Sequence, residues 1–315
     1  MVVTKKTFSF QSKYDDLTIH GICMIPKEPI GIFQMVHGMC EHKERFLPFM
    51  EWMADKGYVA LMHDNRGHGE SVKQPEDIGY CYESKEKGYI EDIYAVTRYI
   101  RKEFPNLPLV LYGHSMGSLG IRSYIRKHDA AVDGLIVAGC PAYNNAVKPA
   151  RFVLKVLGLV KGETFRSPYL QNLVVGRFEK VFKEEQRRFA WLSAKKEVAE
   201  KFEADKLCNF VYTLNGIMTL LNLENITYTG KGFQVRQPEL PVLFVSGKDD
   251  PCYVSEKRWK QAVNRMYQLG YKNVKQIRYE GLRHEIHNEE EYEKVFQDIE
   301  AFCNQVVQDK KERNR

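Results

Sequence analysis

Residues 109–118 read Leu109-Val110-Leu111-Tyr112-Gly113-His114-Ser115-Met116-Gly117-Ser118. The four apolar residues follow Pro105 and Pro108 and suit a short, fully buried strand. From Met116 onward, Ile121, Tyr124 and Ile125 recur at helical spacing. Between strand and helix stands Gly113-x-Ser115-x-Gly117, the pattern of a nucleophile elbow. In such a turn a strained backbone lifts the serine hydroxyl clear of the sheet edge, and side chains at the flanking positions would strike neighbouring strands. Ser115 also opens a helix, where free N–H groups and the helix dipole favour negative charge. The five-residue pattern is weak alone; the strand before it and the helix after it give the serine a catalytic reading.

Toward the N-terminus, residues 7–12 and 17–26 read as an antiparallel hairpin turning at Tyr14-Asp15-Asp16. Residues 31–36 form a third strand running into His37-Gly38-Met39. An amphipathic helix over residues 45–56 follows, with Phe46, Phe49, Met50 and Met53 on one face and Gly57 as its stop. Residues 58–63 form a fourth strand, ending at the polar turn Asp64-Asn65-Arg66-Gly67-His68-Gly69-Glu70-Ser71. A helix over residues 89–103 carries Ile90, Ile93, Val96, Thr97 and Ile100 at helical spacing, and residues 134–139 make the strand after the elbow. Strand and helix thus alternate, which builds a mostly parallel sheet covered on both faces, with the active site at the carboxyl ends of its strands.

From residue 141 to 237 the rhythm breaks into helical patterns over residues 150–159, 186–202 and 211–223. We read this stretch as a helical cap, or lid, over a core made of residues 1–140 and 238–315. Phe152, Val153, Val156 and Leu157 are expected mostly in the cap's own core, with a minority lining an acyl pocket. The sheet resumes over residues 241–246, ending at Gly247-Lys248-Asp249-Asp250. A helix over residues 255–269, a last strand over 274–279, the loop Glu280-Gly281-Leu282-Arg283-His284-Glu285 and a helix over 289–307 complete the chain.

A serine hydroxyl attacks only when a base takes its proton, and the base needs a third group to fix its tautomer. Asp249 or Asp250 after one strand and His284 after the next lie on the same sheet edge as Ser115, in the chain order Ser, Asp, His. His287 competes with His284 and is expected instead to start the last helix.

Taken together, His37-Gly38-Met39, Asp64-x-Arg66-Gly67-His68-Gly69-x-Ser71, Gly113-His114-Ser115-Met116-Gly117, Gly247-x-x-Asp250 and Arg283-His284-Glu285 resemble the α/β-hydrolase superfamily. Within it the likeness is to monoacylglycerol lipase and lysophospholipase-like serine hydrolases, over residues 8–140 and 240–300. The match in the cap is weaker. The resemblance implies an α/β-hydrolase fold, with Ser115 as nucleophile, His284 as general base and acid, and Asp250, at the family's Gly-x-x-Asp spacing, as the orienting acid. It also implies an oxyanion hole made by the backbone N–H groups of Met39 and Met116. Asp249 is then a solvent-facing turn residue. His37 is expected to hold its loop by hydrogen bonding, and Asp64, Arg66 and His68 to form an internally bonded turn beneath the site.

The expected reaction is cleavage of a carboxylic ester with an apolar acyl chain, through an acyl-enzyme. A thioesterase or small-amide peptidase on the same triad, and a non-catalytic module binding a small hydrophobic ligand, are the alternatives. No cofactor is expected. His284-Glu285-Ile286-His287 is not H-E-x-x-H, so no metal is expected, and Gly67-His68-Gly69 lacks a dinucleotide-binding continuation.

The 315 residues are 43% hydrophobic, enough for one large α/β domain with an insert. The formal charge of +6 is modest and the basic residues look scattered, densest in the tail Lys310-Lys311-Glu312-Arg313-Asn314-Arg315, which reads as solvated. No basic-aromatic face points to nucleic acid; transient contact with a membrane surface stays open, as does oligomeric state. Seven spread cysteines without a C-x-x-C pair suit free thiols, and Met1 to Lys6 lead into no apolar stretch, so a cytoplasmic location is expected.

Overall fold

A computed structural model describes residues 3–313; Met1, Val2, Asn314 and Arg315 of the two termini lie outside the described residues. Eight strands form one sheet in the order β1-β2-β4-β3-β5-β6-β7-β8: β1 Val3–Gln11, β2 Thr18–Pro26, β3 Gly31–Val36, β4 Tyr58–His63, β5 Leu109–His114, β6 Gly134–Ala138, β7 Val242–Gly247 and β8 Val274–Tyr279. β1, β2 and β4 pair antiparallel, and every pairing from β4 through β8 is parallel. The hairpin turns where expected, with Asp16 in the left-handed region at φ 52°.

Buried on both faces, β3 to β7 expose no residue along their whole length, which is why they read as largely apolar runs. Helices α2 (Lys85–Glu103), α3 (Met116–His128) and α8 (Glu256–Leu269) pack on one face; α1 (Leu47–Asp55) and α9 (Tyr292–Arg313) cover the other. In α2, Ile90, Ile93, Val96, Thr97 and Ile100 are all buried, as their spacing requires. Each such aliphatic chain removed from water contributes about 1.5–3 kcal/mol. Ser255 caps α8 by accepting from Arg258 N, and Gly270 ends it in the left-handed region at φ 110°.

Register places the chemistry. Val36 lies opposite Gly113, and His114 opposite Ala138. The loop after β3, the elbow after β5 and the turn after β7 therefore emerge on one sheet edge.

Between β6 and β7 lie four helices: α4 (Val147–Lys161), α5 (Pro168–Glu179), α6 (Lys196–Ala204) and α7 (Leu214–Thr229). Three sequence expectations fail here. The helix expected over residues 186–202 exists only as α6. Residues 186–195 form turns, because their backbone bonds elsewhere: Glu179 takes the Phe189 N–H and Trp191 Nε1–H, while the carbonyls of Trp191 and Leu192 accept from His284 N and Glu285 N. Second, α5 escaped notice although Ser167-Pro168 announces it, Ser167 accepting from Leu170 N as an N-cap. Third, most of the apolar face of α4 is not core: Phe152 is 70% exposed and Leu159 81%. In the tail, α9 runs to Arg313 with Lys311, Glu312 and Arg313 exposed as expected, while Lys310 pairs with Asp133 at 2.9 Å.

Candidate active site

Ser115 stands between β5 and α3 with φ 52° and ψ −118°, a conformation costing a non-glycine residue on the order of 1–3 kcal/mol. Its neighbours hold it there. Ser115 N–H donates to Ala138 O at 2.9 Å, and the Ser118 hydroxyl donates to Ser115 O at 2.6 Å. The flanking glycines are required by contact: a Cβ on Gly117 would lie 2.2 Å from Val36 O, and one on Gly113 would lie 2.5 Å from Gly117 O.

The structure joins Asp250 and His284 directly. His284 Nδ1 lies 3.0 and 3.1 Å from the two Asp250 carboxylate oxygens, and both side chains are buried. Burial would raise the Asp250 carboxyl, yet the His284 ring, the Cys252 N–H and the Ser246 hydroxyl hold it below the ordinary carboxylate value. Asp249 is exposed in the turn. His287 neither lines the site nor starts a helix. It is buried in a short 3₁₀ turn and stacked on Phe46 at 4.4 Å, with both ring nitrogens unpartnered and burial holding it neutral.

Ser115 and His284 line one cavity of about 110 Å³, with Met39, Met116, Leu119, Val174, Phe178 and Leu220 supplying apolar wall. Ser115 Oγ makes no hydrogen bond among the described residues, and His284 Nε2 faces Cys252 Sγ at 3.9 Å. Catalytic contacts of this kind are commonly long until substrate is bound. The Met39 and Met116 amides donate to no acceptor among the described residues.

Four residues to which the sequence reading gave no role, Glu41, Arg45, His114 and Glu285, tie the site's loops together. Glu41 accepts from Gly38 N at 2.5 Å, from Arg45 Nη1 at 2.8 Å, and faces His114 Nδ1 at 3.2 Å. Arg45 reaches on to Glu285 with two bonds of 2.8 and 2.7 Å, and His114 Nε2 donates to the His284 carbonyl at 3.1 Å. The loop carrying Met39, the elbow and the histidine loop thus share one buried ionic network. Burial opposes charge on Glu41 and His114, but they overcome it mutually: Glu41 is held well below its usual range, and His114 is raised. The signal available was Glu41-x-x-x-Arg45, opposite charges four residues apart.

His37 holds its loop as expected, its Nε2 accepting from Asn65 N at 2.9 Å, with burial and His68 pushing its pKa well down. The turn after β4 is bonded within itself as expected, with Asp64 accepting from Glu70 N at 2.9 Å and His68 Nδ1 on the Arg66 carbonyl at 3.0 Å, and it is also tied to other elements. Asp64 pairs with Lys43 at 2.7 Å, Arg66 with Asp15 and Asp92, both at 2.7 Å, and His68 with the Tyr212 hydroxyl. Among the described residues two trios bring metal-ligand atoms within 4.8 Å of one another, His42-Asp205-Cys208 and Asp250-Cys252-His284. In each, the histidine already faces a carboxylate.

Comparison with known proteins agrees with this architecture. The chain is 24% identical over 305 residues to a monoacylglycerol lipase of Mycolicibacterium smegmatis, covering 95% of this chain and 97% of that protein. It is also 24% identical to the phospholipase YtpA of Bacillus subtilis, covering 89% and 97%. A thermostable carboxyl esterase from Bacillus coagulans, solved with glycerol, superposes with a TM-score of 0.88 at 24% identity, covering 96% and 99%. Residues 27–291 match the family described as serine aminopeptidase, S33. The chain belongs to that family and has the α/β-hydrolase fold.

Proposed function

We propose that the chain is a carboxylic ester hydrolase working through a Ser115 acyl-enzyme, on substrates such as a monoacylglycerol or a lysophospholipid. The observation that carries this reading is the buried Asp250–His284 pair at 3.0 Å, in one apolar cavity with a strained Ser115 and close to two unbonded amides. His284 Nε2 takes the Ser115 proton as Oγ attacks the ester carbonyl. The oxyanion settles against the Met39 and Met116 N–H groups, each such donor contributing about 3–4 kcal/mol to the transition state. His284 then protonates the leaving alcohol, and water releases the acid by the same steps. Asp250 keeps the Nδ1–H tautomer and balances the imidazolium.

The S33 description makes aminoacyl amides the second substrate class. An aminopeptidase needs an anion for the substrate's α-ammonium; the cavity's one carboxylate outside the ionic network, Glu224, is raised to about 7 by burial, and the solvent-accessible charge beside it is the cation Arg177. This favours esters.

The segment between β6 and β7 is the proposed cap, and its outer face supports docking on an anionic bilayer. Residues 147–183 carry eight lysines and arginines against two glutamates. That excess of six equals the formal charge of the whole chain, so the remainder holds acids and bases in equal number. The same segment exposes Phe152, Leu159, Val160, Tyr169 and Leu173, an apolar face rimmed by cations. No helix among the described residues is long and apolar enough to cross a membrane. The seven cysteines are free and buried, which supports a reducing, cytoplasmic setting.

The test is hydrolysis of p-nitrophenyl esters of increasing chain length, with Ser115→Ala alongside. The reading expects rates that peak at medium or long chains and vanish in the variant. Substantial activity in Ser115→Ala overturns it.

A further inference from the structure

Two charged side chains line the cavity without joining the Glu41–Arg45–Glu285 network: Arg177 on α5 and Glu224 on α7. They are not a matched pair. Glu224 is buried, its Oε1 accepting the Asn144 N–H at 2.5 Å, and burial pushes its carboxyl up to about 7, so much of its charge is quenched near neutrality. Arg177 is solvent-accessible. It makes no hydrogen bond or ion pair among the described residues, and its guanidinium rests over the Phe178 ring, 5.0 Å from the centroid.

A second cation stands behind. Arg122 of α3 is buried, with Nε on the Ser118 carbonyl at 3.1 Å and both Nη atoms unpartnered. Both arginines act electrostatically on Glu224, and Arg177 also on Cys252, the residue facing His284 Nε2. Arg177 thus sets an unpaired guanidinium on the wall of the same cavity that Ser115 and His284 line. Guanidinium groups match the geometry of phosphate oxygens and bind them in forked pairs.

We propose that Arg177 is a specificity-determining residue that favours esters whose alcohol carries an anionic phosphate, a lysophospholipid over a neutral monoacylglycerol. This rests on the ester-hydrolase reading. The phosphate supplies the partner that the Arg177 guanidinium lacks among the described residues, within the cavity that holds Ser115. The acyl chain occupies the apolar wall in either substrate, so only the head group distinguishes them.

The experiment compares kcat/KM for octanoyl lysophosphatidic acid and octanoyl glycerol, both held below their aggregation concentrations so that surface binding plays no part. Wild type prefers the lysophosphatidic acid. Arg177→Gln lowers kcat/KM for it about tenfold or more, mostly through KM, because a charge-assisted hydrogen bond is lost. Activity on octanoyl glycerol stays within about twofold of wild type by the same reasoning, and reports that the variant folds. Arg177→Lys restores part of the preference. Lys180→Gln, on the same face but outside the cavity, leaves it unchanged. Equal losses on both esters, no loss on either, or a wild-type preference for the neutral ester overturns the assignment. Wild type that cleaves neither ester, or Ser115→Ala that cleaves them as well, overturns the underlying reading instead.

Discussion

Replacing Glu224 with Gln should stabilise the protein at pH 8 and leave it unchanged at pH 4.5. Glu224 is 7% exposed on α7, and burial raises its carboxyl from 4.5 to about 7. A displacement of that size corresponds to about 3 kcal/mol. Between those two values the folded chain still holds a proton that the unfolded chain has released. Stability therefore falls as pH rises through that window, and the whole penalty stands above pH 7. Glutamine keeps an oxygen to accept the Asn144 N–H and carries no charge. The variant should match wild type in urea unfolding at pH 4.5 and exceed it by up to about 3 kcal/mol at pH 8. At about 2.1 cal/mol/K of unfolding entropy per residue, that is a rise in Tm of about 5 °C. An equal gain at both pH values, or a loss at pH 8, would refute the reasoning and show that Arg122 and Arg177 already compensate the charge.

Other outcomes follow from the site and its supports. Asp250→Asn should keep the fold but lower kcat by about 10³–10⁴ with KM little changed, because an amide N–H facing His284 Nδ1 holds the wrong tautomer and the imidazolium loses its counter-charge; steady-state kinetics on a p-nitrophenyl ester checks it. Gly117→Ala puts a methyl 2.2 Å from Val36 O; we expect destabilisation of about 1–3 kcal/mol by urea unfolding together with loss of turnover as the elbow shifts. Leu159→Glu, at a side chain 81% exposed, should weaken binding to vesicles containing anionic lipid in a flotation assay, while rates on monomeric esters stay at wild-type level.

The parts of the fold that could be read from sequence are those in which local pattern and burial agree. β5 and β7 are unbroken apolar runs because both their faces are covered, and α2 repeats isoleucines at helical spacing because one face is covered. The insert resisted such reading for the opposite reason. Residues 186–195 have a helical composition, but their polar groups are committed to Glu179 and to the histidine loop, contacts that no local window contains. The apolar side chains of α4 looked like core because periodicity reports amphipathicity without saying what covers the apolar face.

The same distinction holds at the site. Gly-x-Ser-x-Gly and Gly-x-x-Asp are local patterns, and Asp250 does meet His284. In the lock of Glu41, Arg45 and Glu285, the Arg45–Glu285 pair spans 240 residues of chain, so only the fold brings it together. Arg177 escaped for a related reason. Its role depends on lacking a partner, and that is a property of its surroundings.

The proposed reaction stands or falls with Ser115 as the nucleophile. Intact-mass analysis after treatment with a fluorophosphonate, followed by peptide mapping, tests it most directly. One adduct per chain is expected, on the peptide bearing Ser115, with none on Ser115→Ala and little on Asp250→Asn. An adduct on another residue, or no adduct on folded wild-type protein, would contradict it.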